Sequence, residues 1–257
     1  MVKRQPTKWG RFRNVPIFLF PISGIIRGMK RSPWLLPGLI LIVLAAGLVA
    51  APVADDPAIT PAEAVAKLQK ALRAVSTLQA KFEQLHYSVS VSMPLREKGD
   101  LYLEKPDHMR WEYRDPQNKV FLYKAGVLET YLPEEKQLTR SPVPEEALKT
   151  DIFGLLLGLM SFEEAYTVED SPFPTEAVRV RQVKLTPKTE GDYSHILLEI
   201  DAATWLPRRA IFLEWAGNKR EFVFSQVRTG VRIPARIFTL KVPPDTEVID
   251  DTEGAIR

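Results

Sequence analysis

The chain has 257 residues, 45% of them hydrophobic, with 35 Lys and Arg against 32 Asp and Glu and a pI near 9.0. It contains no cysteine, which excludes disulfides, thiolate metal sites and lipidation through a cysteine. Eight of the basic residues and none of the acidic ones lie in residues 1–54, so the remainder carries 27 basic against 32 acidic residues, a net of −5. The basic pI therefore belongs to the leader, and a nucleic-acid partner loses its electrostatic basis.

The leader holds two apolar runs. Val15 to Ile26 is interrupted by Pro16, Pro21 and Gly24 and is too short to span a hydrocarbon core of roughly 30 Å. Pro33 to Ala54 follows Arg27, Lys30 and Arg31, and basic, then apolar, then small residues make a secretory signal. Met29 is an alternative start, because the segment from there is a complete signal by itself. Val49 and Ala51 suit positions −3 and −1 of a cleavage site, although Pro52 follows; cleavage after Ala54 would instead place Pro52 at −3. The expectation is residues 1–54 as N-terminal extension and signal, 55–257 as one exported mainly-β domain with some helix, and a periplasmic location. An uncleaved leader anchored in the inner membrane is the alternative.

Thr60-Pro61-Ala62-Glu63 is a helix start: Thr60 caps, Pro61 suits the first helical position and Glu63 reaches back. Val65, Leu68, Leu72, Val75 and Phe82 then recur on one face, predicting about five turns packed on a sheet. From about Lys81 the period becomes two. Strands are predicted over Phe82–Ser92, Gly99–Glu104, His108–Tyr113, Lys119–Ala125 and Leu128–Leu132, joined by turns at 105–107, 115–118 and 125–126.

Ser141-Pro-Val-Pro144 ends that series. Asp151 caps an apolar stretch holding Ile152, Phe153, Leu155, Leu156, Leu159 and Met160, and Ser161 opens a second short helix through Tyr166. The stretch is too short for a membrane span and apolar nearly all round, so it must be buried; Gly154 and Gly158 weaken it as a helix, which suits a movable element. Strands then return over Ala177–Leu185, His195–Asp201, Pro207–Trp215, Lys219–Gln226 and Ala235–Val242. Ile196, Leu198 and Ile200 share one face, as do Ile211, Leu213 and Trp215, then Phe222 and Phe224, then Phe238 and Leu240. Met109, Trp111 and Tyr113 alternate with charged Arg110 and Glu112, which predicts an inward apolar trio; Phe121 and Tyr123 extend the candidate cavity lining.

Catalytic signals are sparse. His86, His108 and His195 lie in or beside strands with no nucleophile elbow. The carboxylate pairs 134–135, 145–146, 163–164 and 250–251 read as solvated charges. No P-loop, dinucleotide fingerprint or zinc spacing occurs. The expectation is a binding protein that is not an enzyme and uses no cofactor or metal, with an exported hydrolase as the distant alternative.

Gly-Asp-Leu-Tyr-Leu-Glu-Lys-Pro at 99–106, then Met109-Arg-Trp-Glu-Tyr113, Asp115-Pro116, Gly126 and Tyr131-Leu-Pro133 together resemble the periplasmic lipoprotein carrier family LolA. Val183-Lys-Leu-Thr-Pro-Lys188 and Val242-Pro-Pro-Asp-Thr-Glu-Val248 resemble later segments of it, so the likeness covers about residues 60–250 in order. It implies an unclosed antiparallel half-barrel of about eleven strands, with an N-terminal helix and a central helical lid over a lipid-binding cavity. It further implies a monomeric carrier taking acylated lipoproteins from an inner-membrane lipoprotein-releasing ABC transporter to an outer-membrane lipoprotein acceptor. That acceptor is itself lipidated on a cysteine, so the absence of one here favours the carrier. A lipid- or lipoprotein-sensing domain of the same fold is the alternative. One departure concerns the lid latch: the family's carriers usually place Arg before the proline of the second hairpin, and here Lys105 stands there without a planar fork. The expectation is that Lys105 donates to lid carbonyls or to Asp151.

Overall fold

The computed structural model describes residues 59–148, 151–173 and 179–252. Every expectation about the leader, from the start codon to cleavage, export or anchoring, lies outside the described residues, as does the predicted strand start at Ala177.

Helix α1 spans Pro61–Ala74. Its start is the reciprocal cap read from the sequence: Glu63 N donates to Thr60 Oγ1 at 3.3 Å, and Thr60 N donates to Glu63 Oε2 at 2.8 Å. Two orphan amides of the helix N-terminus are thereby satisfied, and Pro61 has none to satisfy. Ala64, Val65, Leu68 and Leu72 are buried. The helix is a turn shorter than predicted because Val75 is its extended C-cap, and strand β1 already begins at Thr77. Phe82 thus belongs to the sheet, where Leu78, Ala80 and Phe82 alternate inward.

Among the described residues one sheet holds twelve strands: β1 Thr77–Tyr87, β2 Leu95–Glu104, β3 His108–Asp115, β4 Lys119–Lys124, β5 Val127–Leu132, β6 Gln137–Pro142, β7 Tyr166–Asp170, β8 Val180–Pro187, β9 Tyr193–Asp201, β10 Pro207–Glu214, β11 Lys219–Thr229 and β12 Glu247–Asp250. The spatial order is β12-β6-β5-β4-β3-β2-β1-β11-β10-β9-β8-β7. Strands β1 to β11 pair antiparallel, and β12 alone joins in parallel, against β6. The first and last antiparallel strands pair with each other at the centre, while β7 and β12 are the edges, so the curled sheet remains an unclosed half-barrel.

Several elements differ from expectation; strand β1, for one, ends at Tyr87 and not at the predicted Ser92. Strands β6 and β7 were not predicted, because QLTRSP and YTVED are too polar to signal a strand by hydrophobicity. The predicted strand 235–242 is instead a 3₁₀ turn over Ala235–Phe238; its apolar residues pack against the outer face of the sheet and pair with no strand. There Phe238 and Ile233 bury themselves on Leu122, with Tyr102, Val231 and Leu240 around them.

Close approach of strands β1 to β3 depends on Gly99. A Cβ there would sit 2.1 Å from the Glu112 carbonyl oxygen and 2.8 Å from the Phe82 ring, so the missing side chain is what lets that ring lie on the inner face.

Candidate functional site: the lid-filled interior

Residues directly opposite one another in antiparallel strands share a face, so the pairing defines the interior. Trp111 faces Leu101 and Phe121, Met109 faces Leu103 and Tyr123, Phe82 faces Phe224, and Leu198 faces Ala210. Met109, Trp111, Tyr113, Phe121, Ile196, Leu198, Ile200 and Phe222 are each at most 1% exposed; Tyr123 and Phe224 are also buried. The structure therefore brings ten of the predicted lining residues onto one concave surface. Their aromatic rings interlock edge to face: Phe82 lies 4.7 Å from Trp111 and 4.8 Å from Tyr113, Trp111 lies 5.7 Å from Phe222, and Tyr113 lies 5.5 Å from Phe121.

The other five are elsewhere. Ile211 and Leu213 pair with Leu197 and His195 on the outer face, beside a shallow hollow of about 320 Å³ that also touches Phe173. Trp215 is 69% exposed and donates its Nε1 to the Gly191 carbonyl at 3.0 Å. The inward residues of β10 are Ala210 and Phe212; Ala210 carries too little hydrophobic weight to reveal the phase of the alternation. Phe238 and Leu240 belong to the outer cluster on Leu122. Residues that sequence reasoning left out include Phe212, Val183, Leu185, Tyr193 and Phe162, all buried, along with the polar Gln84, Glu97 and Arg220 discussed below.

The concave surface is filled by a segment of the same chain. Helix α2 (Glu145–Leu148), helix α3 (Ile152–Leu157) and helix α4 (Phe162–Ala165) connect β6 to β7. Asp151 caps α3 by accepting from Ile152 N at 2.5 Å, and Gly158 ends it in the left-handed conformation at φ 76°, where glycine meets no Cβ penalty. Ile152, Phe153, Leu155, Leu156 and Met160 are at most 2% exposed, whereas Leu159, predicted to face the sheet, is 37% exposed. Phe153 packs on the aromatic wall, its ring 6.0 Å from Trp111 and 6.5 Å from Tyr123. Gln69 of α1 holds the segment by donating to the Met160 carbonyl at 3.1 Å. A hollow of about 850 Å³, lined by no residue of this segment, opens between the end of α1 (Ala71, Ala74) and Leu206, Pro207, Phe224 and Gly230.

Lys105 occupies a different position from the one expected. Its Nζ donates to the Leu72 carbonyl in the last turn of α1, at 2.5 Å, and lies beside Gly158, 3.3 Å from where a Cβ on that residue would be. It thus ties β2 to α1 next to the end of α3. Burial lowers its pKa from the usual lysine value. Asp151 has another neighbour: burial raises its carboxyl pKa, Arg220 opposes that rise, and Asp192 adds to it.

The interior also holds polar groups at one end. Tyr113 donates its hydroxyl to Gln84 Oε1 at 2.5 Å, and burial holds the phenol pKa well above its ordinary value. Glu97 pairs with Lys119 at 2.5 Å, the ammonium lying 4.4 Å from the Tyr113 ring centre. Among the described residues no group of three or more His, Cys, Asp or Glu is placed to hold a metal ion, and no helix is long and apolar enough to cross a membrane.

An open antiparallel sheet whose apolar face is covered by a helical segment of its own chain defines a lidded half-barrel. The family profile described as "Outer membrane lipoprotein carrier protein LolA" matches residues 73–241, more than half the chain, and the chain belongs to that family. An outer-membrane lipoprotein carrier protein of Methylococcus capsulatus is 28% identical over 188 residues, covering 72% of this chain and 86% of that protein. Its counterpart in Pseudomonas paraeruginosa is 25% identical over 198 residues, covering 77% and 90%. A LolA superfamily protein from Nitrosomonas europaea, of known crystal structure, aligns with a TM-score of 0.39 at 13% identity over 71% of this chain and 99% of that one.

Proposed function

We propose that the protein is a periplasmic, monomeric carrier, without enzymatic activity, that holds the acyl chains of lipoproteins on the concave face now covered by residues 151–165. In this reading it receives them from an inner-membrane lipoprotein-releasing ABC transporter and passes them to an outer-membrane acceptor. The observation that carries the proposal is the cover itself. A sheet face lined by Met109, Trp111, Tyr123 and Phe222 is sealed by short helices bearing Phe153 and Leu156, a surface that apolar chains can replace group for group. Family membership supports the same cargo. The cover must leave for the chains to enter, so lid and acyl chain compete for one surface.

The test is co-purification with cargo. The carrier, incubated with membranes containing a lipoprotein and its releasing transporter, is expected to recover the acylated lipoprotein in soluble complex and to leave behind a cargo variant that cannot be acylated. Equal recovery of both, or of neither, would sink the proposal.

A further inference from the structure

Unlike the paired Glu97 and Lys119, Arg220 stands on the concave face without a carboxylate in hydrogen-bond reach. Arg220 lies on β11 opposite His86 of β1 and Phe212 of β10, two positions before Phe222, and points inward with 4% of its surface exposed. Its Nη2 donates to the Tyr193 hydroxyl, and the guanidinium stacks 5.3 Å from that ring. Its Nε and Nη1 are buried and have no hydrogen-bond partner. The nearest carboxylate, Glu214, is 3.8 Å from Nε, beyond hydrogen-bond reach. A buried guanidinium short of two bonds is destabilising in general, and a neutral side chain of similar length would fill the space. Such a group persists where it has a partner to meet.

The lid indicates when that partner arrives. Asp151 at the N-cap of α3 is close enough to Arg220 to feel its charge, and it sits on the segment that must leave for the concave face to open. Departure of the lid removes that carboxylate and leaves the two free N–H groups facing the apolar surface. A chain laid along Trp111, Phe222 and Phe212 would end at Arg220. The polar group at the end of a lipoprotein's acyl chain is the ester or amide carbonyl that joins it to the modified cysteine.

Building on the carrier reading, we propose that Arg220, oriented by Tyr193, is the binding site for the ester or amide carbonyl oxygens of the cargo's acyl linkages. The two unpartnered N–H groups, Nε and Nη1, can donate hydrogen bonds and accept none. They therefore select a carbonyl over a bare hydrocarbon, fixing how deep the chain enters and which end stays near the protein surface.

The experiment compares two uncharged probes of equal chain length, dioctanoylglycerol and the corresponding dioctyl ether of glycerol, which lacks the carbonyls. Hydrogen bonds to charged donors contribute about 1.5–3 kcal/mol, so the wild type is expected to bind the ester roughly ten- to a hundred-fold more tightly. Arg220→Met should bind both alike. Where the Met variant does not fold, Arg220→Lys, which keeps the charge and loses the separate Nε donor, should show a clearly reduced preference. Equal binding of ester and ether by the wild type, or a full preference in either folded variant, overturns the assignment while leaving the carrier reading intact. Binding of neither probe by the wild type overturns both.

Discussion

Phe153 is a buried side chain of the lid, 1% exposed and in ring contact with both Trp111 and Tyr123. Phe153→Ala removes that ring from the closed state, and buried Phe→Ala changes cost about 3–5 kcal/mol. If the lid and an acyl chain occupy the same surface, the whole loss falls on the closed form, because an open lid leaves the ring in water either way. At about 1.4 kcal/mol per decade, the closed-to-open ratio falls by roughly two to three and a half orders of magnitude. The apparent affinity for an acyl probe equals the intrinsic affinity scaled by the open fraction, so it rises by up to that factor until the open form predominates. The variant should therefore melt earlier and bind a fluorescent acyl probe more tightly, two effects of opposite sign from one substitution. Denaturant unfolding and probe titration on the same preparation measure both. Affinity falling together with stability would refute the reasoning, since it would make Phe153 part of the binding wall and not its competitor.

Lys105→Met removes the donor to the Leu72 carbonyl and is expected to destabilise by about 1.5–3 kcal/mol, the range for hydrogen bonds to charged groups. Hydrogen exchange should quicken over the last turn of α1 and around Gly158, and unchanged exchange there would show the bond to be without consequence. Asp151 has a raised carboxyl pKa, through burial, so its protonated form favours the folded, closed state. That contribution is fully present below the unfolded carboxyl value and is lost as pH rises through the higher folded value. Protection factors over Ile152–Leu157 should increase on acidification across that window, and Asp151→Asn, which can still cap α3, should flatten the dependence; a variant with the wild-type profile would assign it to another group.

How much of this was legible in the sequence depends on whether a residue's role shows in its own hydrophobicity. The Thr60–Glu63 cap, the inward trio on β3 and the buried lid helix were readable because each follows a local period with strongly apolar or capping residues. Strand β10 was misread by one position, since Ala210 and Phe212 mark its inner face less clearly than Ile211, Leu213 and Trp215 mark the outer one. Strands β6 and β7 were invisible because they pair at or near the edges with few apolar residues. Alternation over 235–242 reported burial correctly for Phe238 and mistook its partner, because a period of two says nothing about whether a neighbouring strand is available. Arg220 could not be found at all: a charged residue beside a hairpin reads as solvent-facing, and only the pairing with Phe212 turns it inward.

The balance between lid and cargo follows from comparing what each buries. Burying hydrocarbon gains about 0.8 kcal/mol per methylene, so one long acyl chain gains on the order of 10 kcal/mol. The lid presents Ile152, Phe153, Leu155, Leu156, Leu157 and Met160 to the interior, and each such side chain gains about 1.5–3 kcal/mol on burial. The two totals have the same magnitude, so replacing lid by chain is close to isoenergetic in apolar terms, and a small bias decides the direction. The groups able to supply that bias are the polar ones whose surroundings change as the lid moves: Gln69 at the Met160 carbonyl, and Asp151 in the field of Arg220. On the proposed carrier reading, loading and unloading then involve little net change in apolar burial, and the polar contacts set which occupant is preferred.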